Sequence, residues 1–263
     1  MSRAGDPCYA ELAEALRAAS AGRAGILHIV NIGNWGDGLI HAGQRRFFAQ
    51  FGVEVRDLVV TRRMIPWRIW RLRLAQGIRQ PLYLMSGGGV LTAHYPKRVR
   101  EMEARAAILR PLFLMPSTVA VPLGARWQKA ELWVRDLRES LENAPGARFC
   151  HDMALFLDPA PRRPIEDDGL LFREDAENPY DSVPAGNRDV AAEHSHTAQS
   201  EAFFDAVGRY RRIWTNRLHV AIAGALLGRE THLFANSYFK NRAVFEASLR
   251  DRYPHVTFHE GAP

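Results

Sequence analysis

The chain has 263 residues, 47% of them hydrophobic and 24% charged, with a net charge of +6. That length allows one large or two small domains with a core that needs no disulfide or metal, and the composition excludes a wholly disordered chain. Two cysteines, Cys8 and Cys150, are too few for a disulfide scaffold or a four-cysteine zinc module.

No run of about 18 apolar residues is present, and residues 1–7 lack an apolar core of signal-peptide type, so the expectation is a folded, cytoplasmic protein. Seven arginines between 56 and 79 face one acid, Asp57, so this stretch carries the whole net charge. A nucleic-acid binder would spread its basic surface differently, and no nucleic-acid partner is expected.

The first elements in chain order are a helix over 11–21, a buried strand over 25–30, a polar loop over 31–37 and a helix over 38–51. A strand over 53–60 and a helix over 67–77 follow. Residues 81–85 form a strand ending in Ser86-Gly-Gly-Gly89. Pro96 opens a helix that runs to 108. Strands over 112–115, 131–134 and 148–150 bracket a short helix over 136–143. Prolines 159, 161 and 164 break the pattern, which divides the chain into domains 1–160 and 165–263. The second domain begins with a strand over 170–172, then a polar stretch, 174–199, without periodicity. Helices over 201–208, 217–227 and 239–250 alternate with strands over 212–215, 231–235 and 255–259. Strands alternating with helices imply parallel sheets, hence an α/β fold.

Ligands of open parallel sheets bind beyond the carboxyl ends of the strands. Four polar loops lie at such ends. In Asn31-Ile-Gly-Asn-Trp-Gly-Asp37, Gly36 permits close backbone approach and the loop opens onto a helix N-terminus, which attracts anions; the plainer reading makes Asp37 a helix cap. The glycines of Ser86–Gly89, Gly87 and Gly88 among them, allow the same close approach, or simply make a turn. Ser86 is not set in a nucleophile elbow. In Thr215-Asn-Arg-Leu-His219, Thr215 or Asn216 caps the next helix. Arg217 and His219 then fall in an exposed first turn, where their replacement would leave the fold intact. An arginine at the positive end of a helix dipole suggests an anion there, and His219 suits acid/base work near neutral pH. Ala221, Ala223, Gly224 and Ala225 make a small-residue surface that lets this helix lie close on its sheet. The fourth loop, Asn236-Ser-Tyr-Phe-Lys240, offers Asn236, Ser237 and Lys240 to phosphate or sugar hydroxyls. Arg173, after the 170–172 strand, is a further candidate. His194 and His196 resemble a metal pair without a third ligand, so no metal is expected, and the two cysteines read as inert.

At these loops the chain resembles the polysaccharide pyruvyl transferase family. The resemblance rests on residues 31–43 (NIGNWGDGLIHAG), 84–89 (LMSGGG), 114–118 (LMPST), 133–140 (WVRDLRES), 152–157 (DMALFL) and, most specifically, 215–246, with the R-L-H motif at Arg217 and His219. It implies two Rossmann-like halves facing a cleft as in GT-B glycosyltransferases, the second half shortened. It also implies transfer of pyruvyl from phosphoenolpyruvate to two hydroxyls of one sugar, giving a ketal and phosphate, without a resident cofactor.

Phosphoenolpyruvate needs arginine and helix N-termini for its carboxylate and phosphate. His219 is then the acid at carbon 3, Arg217 the anion holder, and Asp37 the group that orients or deprotonates the acceptor hydroxyl. Asn34, Gly36, Gly87, Gly88, Arg173, Asn236, Ser237 and Lys240 are the binding candidates. The rival readings are a glycosyltransferase using a nucleotide sugar and a non-catalytic anion-binding module. The acceptor is expected to be a sugar or lipid-linked oligosaccharide. Residues 62–79, with Trp67 and Trp70 among arginines, read either as a helix in the interface of an anionic membrane or as a plain core helix.

Overall fold

The computed structural model describes residues 2–58 and 80–262, so the basic stretch 62–79 and its expected helix lie outside the described residues. In its described parts the chain divides into two compact units. One comprises Asp6–Asn31 and Arg45–His151; the other comprises Met1–Gly5, Ile32–Gln44 and Asp152–Pro263. The second unit thus takes in the loop and helix start after residue 31 as well as the C-terminal part of the chain.

The first unit holds helix α1 (Pro7–Ser20) and strands β1 (Ile26–Ile29), β2 (Val55–Leu58), β3 (Leu82–Met85) and β4 (Gly88–Leu91). It continues with α3 (Pro96–Ile108), β5 (Leu112–Val119), β6 (Ala130–Val134), α4 (Glu139–Asn143) and β7 (Arg148–Phe149). All strand pairs are parallel, in the order β2-β1-β3-β5-β6-β7, with β4 paired to the far half of β5. Strands Ile26–Ile29 and Leu82–Met85, apolar but for His28, are buried throughout, as expected for strands covered on both faces. Strand β5 is longer than its apolar run predicts. It changes partner from β3 to β4 and shifts register between Leu114 and Ser117, where Pro116 sits; a sheet tolerates proline at such an irregularity. The glycines after β3 are therefore partly strand rather than loop.

The second unit has four parallel strands in the order β11-β10-β9-β8: β8 (Glu166–Leu170), β9 (Tyr210–Thr215), β10 (Glu230–Phe234) and β11 (Val256–His259). Its helices are α5 (Ser200–Gly208), α6 (Leu218–Leu226) and α7 (Lys240–Val244), the last running on into a π-helical turn, Phe245–Leu249. Strand β8 starts at Glu166, inside the stretch expected to be a break between domains. Ile213, Leu233 and Val256 from the strands share a core with Phe203, Val207, Val220 and Ala221 from the helices. The small-residue face of α6 does what its composition implies. A Cβ on Gly224 would lie 2.4 Å from Thr231 Oγ1, so the helix rests directly on β10.

The helix expected from residue 38 begins earlier. Helix α2 (Trp35–Phe51) starts at Trp35 because Asn34 and Asp37 cap it reciprocally. The Asp37 amide donates to Asn34 Oδ1 (3.2 Å) and the Asn34 amide donates to Asp37 Oδ2 (3.0 Å). About two turns on, a Cβ at Gly43 would lie 1.8 Å from the Met153 carbonyl oxygen. In an open helix Gly→Ala stabilises by about 1 kcal/mol; here overpacking reverses the sign, at a cost of about 1–3 kcal/mol. A lowered melting temperature for Gly43→Ala would bear this out, and a raised one would contradict it.

Candidate active site in the C-terminal unit

Nine of the eleven residues expected at the site lie in the second unit: Asn34, Gly36, Asp37, Arg173, Arg217, His219, Asn236, Ser237 and Lys240. Gly87 and Gly88 belong to the first unit. There Gly87 has a packing reason, since a Cβ would lie 2.2 Å from the Pro116 carbonyl oxygen. Gly88 adopts φ +146° as β4 begins, a conformation that favours glycine.

Helix α6 sets the positions of Arg217 and His219. Arg217 is its N-cap residue, with extended backbone, and His219 lies in the first turn. Thr215 does not cap the helix from outside. Its hydroxyl donates to the Leu171 carbonyl (2.6 Å) and accepts from the Arg217 amide (2.9 Å), which ties β9 to the end of β8. Asn216 accepts from the Arg173 amide (2.8 Å) and donates to Asn178 (2.9 Å). Asn241, which sequence reading missed, donates to the carbonyls of Asn216 (2.8 Å) and Phe234 (2.9 Å). The ends of β9 and β10 are thereby locked together.

Arg217 is not on an exposed turn. It is 5% exposed, and its guanidinium forks onto Asp189 through Nε (2.8 Å) and Nη2, while Nη1 meets Asp175 (2.9 Å). Arg173, also buried, forks onto Asp175 (2.7 and 3.0 Å) and bonds Glu177. Lys240 Nζ and Asn236 Nδ2 converge on the same Glu177 oxygen. Ser237 is exposed, and its amide donates to the Glu177 carbonyl. Three cations expected to await an anion thus hold three carboxylates of their own chain. Those carboxylates come from the polar stretch 174–199, whose lack of periodicity gave no sign of this use.

Burial works to raise the Asp175 carboxyl, but the bond from Arg173 and the charges of Arg217 and Arg173 outweigh it and hold it at about 2, against 3.8 for a free aspartate. A carboxyl lowered on folding stabilises the fold above its unfolded value and loses that contribution as pH falls through its folded value. Asp175 is more than a third exposed, so solvent screening reduces its contribution to on the order of 1 kcal/mol. The stability difference between wild type and Asp175→Asn should therefore shrink between about pH 4 and pH 2. A difference constant across that range would contradict the pairing.

His219 stands apart from this network. Its side chain is 14% exposed, and Nε2 is buried, with no hydrogen-bond partner among the described residues. The carboxylate nearest to Nε2 is that of buried Asp152, with Oδ2 3.6 Å away. Asp152 is itself fixed as the cap of the 3-10 turn Met153–Phe156, its Oδ1 accepting from the Ala154 amide (2.8 Å). On the other edge of the ring, a Cβ at Gly36 would lie 2.8 Å from His219 Nδ1 and 3.1 Å from Asn34 Oδ1. Glycine at 36 therefore lets the imidazole come up against the capped loop. Asp37 is spent on that cap, and a Cβ at Gly33 would lie 1.9 Å from its carboxylate. Its bonds are those of a residue that shapes the loop. Only the position of Asp152, within the quoted DMALFL segment, pointed to it, because 67 residues separate it from His219.

His196 exchanges bonds with Gly33, its amide donating to the Gly33 carbonyl (3.1 Å) and its Nδ1 lying 3.3 Å from the Gly33 amide. His194 packs edge-on against Trp35 at 4.4 Å between ring centroids. The two histidines fasten the 194–199 loop to the start of α2. No cluster of three or more metal-ligating side chains occurs among the described residues.

In the first unit, His28 bridges Asp57 (Nδ1, 2.9 Å) and Ser86 (Nε2, 2.8 Å). Ser86 is wholly buried and Asp57 half exposed, the reverse of a nucleophilic triad, so this chain braces the ends of β1, β2 and β3. Arg135 bonds Thr118 (2.8 Å), and Asp136 accepts from the Ser140 amide (2.9 Å), so the 114–118 and 133–140 motifs act as bracing as well.

The sequence profile of the polysaccharide pyruvyl transferases matches residues 34–238. A crystal structure of a functionally uncharacterised protein from Klebsiella pneumoniae resembles the chain with a TM-score of 0.74 at 22% identity, over 99% of this chain and 100% of that one. That likeness supports the α/β fold. The search of curated proteins gave no match. With its profile match spanning most of the chain, including the R-L-H motif at the start of α6, the chain belongs to the polysaccharide pyruvyl transferase family.

Proposed function

We propose that the protein transfers pyruvyl from phosphoenolpyruvate to two hydroxyls of one sugar of a polysaccharide unit, forming a ketal and releasing phosphate. One observation carries the reading: a half-buried imidazole, His219, with an unbonded Nε2 beside the fixed carboxylate of Asp152. Hydrogen bonds of acid/base groups are commonly loose before substrate binds. His219 gives a proton to carbon 3 of the enol as the first sugar hydroxyl adds at carbon 2, and the proton which that hydroxyl loses returns to the imidazole. The second hydroxyl then displaces phosphate from carbon 2: the new C–O bond forms, the C–O bond to phosphate breaks, and the hydroxyl proton leaves with the phosphate. Asp152 Oδ2, 3.6 Å from Nε2, is the carboxylate that faces the imidazole during this exchange. Of the three carboxylates around the cations, Asp175 is the most open to solvent, so it is the one that the anionic donor displaces from Arg173 and Arg217. Asn34 and Gly36 shape the wall beside the imidazole.

No helix among the described residues is long and apolar enough to cross a membrane. Contact of residues 62–79 with an anionic membrane, supported by their tryptophan and arginine pattern, would bring the enzyme to a lipid-linked acceptor and belongs to the same proposal.

Phosphoenolpyruvate should raise the melting temperature. A ligand bound only by the folded state stabilises it by about 2.7 kcal/mol at a hundred times its dissociation constant. A panel of nucleotide sugars should leave it unchanged. Stabilisation by a nucleotide sugar, with no response to phosphoenolpyruvate, would overturn the proposal in favour of a glycosyltransferase.

A further inference from the structure

The two cysteines are 142 residues apart in sequence, yet the Cys150 thiol donates to Cys8 Sγ at 3.5 Å. Both lie in the first unit. Cys8 is partly exposed and Cys150 is buried, so of the two residues only Cys8 has surface open to solutes. Cys8 follows Pro7 in the first turn of α1, where the helix dipole favours a thiolate. His151, next in the chain to Cys150, lies against Cys8 and pairs through Nε2 with Asp6 (3.2 Å), the N-cap residue of the same helix. The bond from Cys150, opposed by burial and supported by His151, brings the Cys8 thiol down to about 5. Burial pushes the Cys150 thiol up, so it remains the proton-bearing partner. An accessible thiolate beside a buried thiol is the arrangement of an attacking and a resolving cysteine.

We propose that Cys8 and Cys150 form a peroxide-reactive dithiol, in which Cys8 is the attacking sulfur and Cys150 the resolving one. Cys8 attacks one oxygen of hydrogen peroxide; the S–O bond forms, the O–O bond breaks, and hydroxide leaves. Cys150 sulfur then attacks Cys8 sulfur; the S–S bond forms, the S–O bond breaks, and the departing hydroxide takes the Cys150 proton as water. Two thiols are oxidised and one peroxide is reduced. To bond, the sulfurs close from 3.5 Å to about 2.05 Å.

The test treats the native protein with a small excess of hydrogen peroxide and follows intact mass and free thiols. The expected result is loss of two hydrogens (about 2 Da), disappearance of both thiols together, a Cys8–Cys150 linked peptide after proteolysis, and full reversal by dithiothreitol. In Cys150→Ser, peroxide should leave Cys8 as a sulfenic acid that dimedone traps. In Cys8→Ser, Cys150 should keep its thiol. If the native protein gains one or two oxygens on Cys8 while Cys150 stays reduced, Cys150 does not resolve and the proposal fails. It fails equally if both thiols survive the treatment. All of these readouts are independent of transferase activity.

Discussion

Replacing Arg217 with alanine is expected to abolish transfer and to destabilise the fold by about 3–5 kcal/mol. That is the cost of removing one partner from a buried ion pair and leaving the other uncompensated. Asp189 would lose a two-point contact, and Asp175 one of its two arginines. Urea denaturation would show a lower midpoint with an unchanged slope. Arg217→Lys should recover only part of the loss, because an ammonium cannot fork onto Asp189 and reach Asp175 at once. An alanine variant as stable as wild type would show that the guanidinium is not the keystone of this cluster.

The second large effect should be purely kinetic. His219→Ala is expected to lower turnover by about 10²–10⁴-fold, the usual contribution of a positioned acid, with almost no change in melting temperature. The imidazole is partly exposed and Nε2 is bonded to nothing among the described residues, so its removal strands no polar partner. The pair of variants therefore separates the two roles held within the three-residue R-L-H motif. Near-normal turnover of His219→Ala at saturating substrates would remove His219 from the chemistry.

Much of the fold was legible where one local signal decides an element. Pro96 opens α3, which ends at Ile108 as its periodicity predicts. The small residues at 221–225 announce a helix pressed onto a sheet, and Gly224 meets Thr231 there. Strand β4 was missed because glycines carry no strand propensity, and β5 was cut short because Pro116 reads as a breaker until its change of partner strand is known.

Of the candidate site, the sequence reading named residues that the structure gathers mostly in one unit, and told less of what each of them bonds. Arg217 read as a cation awaiting an anion because its counter-ions lie 28 and 42 residues upstream, in a segment with no periodic pattern to place it. Asp37 read both as a helix cap and as a candidate base, and the cap is what the structure shows; its reciprocal form with Asn34 depends on the helix starting at Trp35, which the sequence placed at residue 38. The Asp152–His219 approach is a tertiary contact that no spacing rule predicts.

The most direct test of the proposed chemistry is phosphorus NMR of phosphoenolpyruvate incubated with the enzyme and a panel of lipid-linked oligosaccharides. The account predicts that the phosphoenolpyruvate signal gives way to inorganic phosphate only when enzyme and a competent acceptor are both present, with the pyruvyl carbons recovered as a ketal on the sugar. Phosphoenolpyruvate left intact across the panel, while a nucleotide sugar in the same tube is consumed, would contradict it.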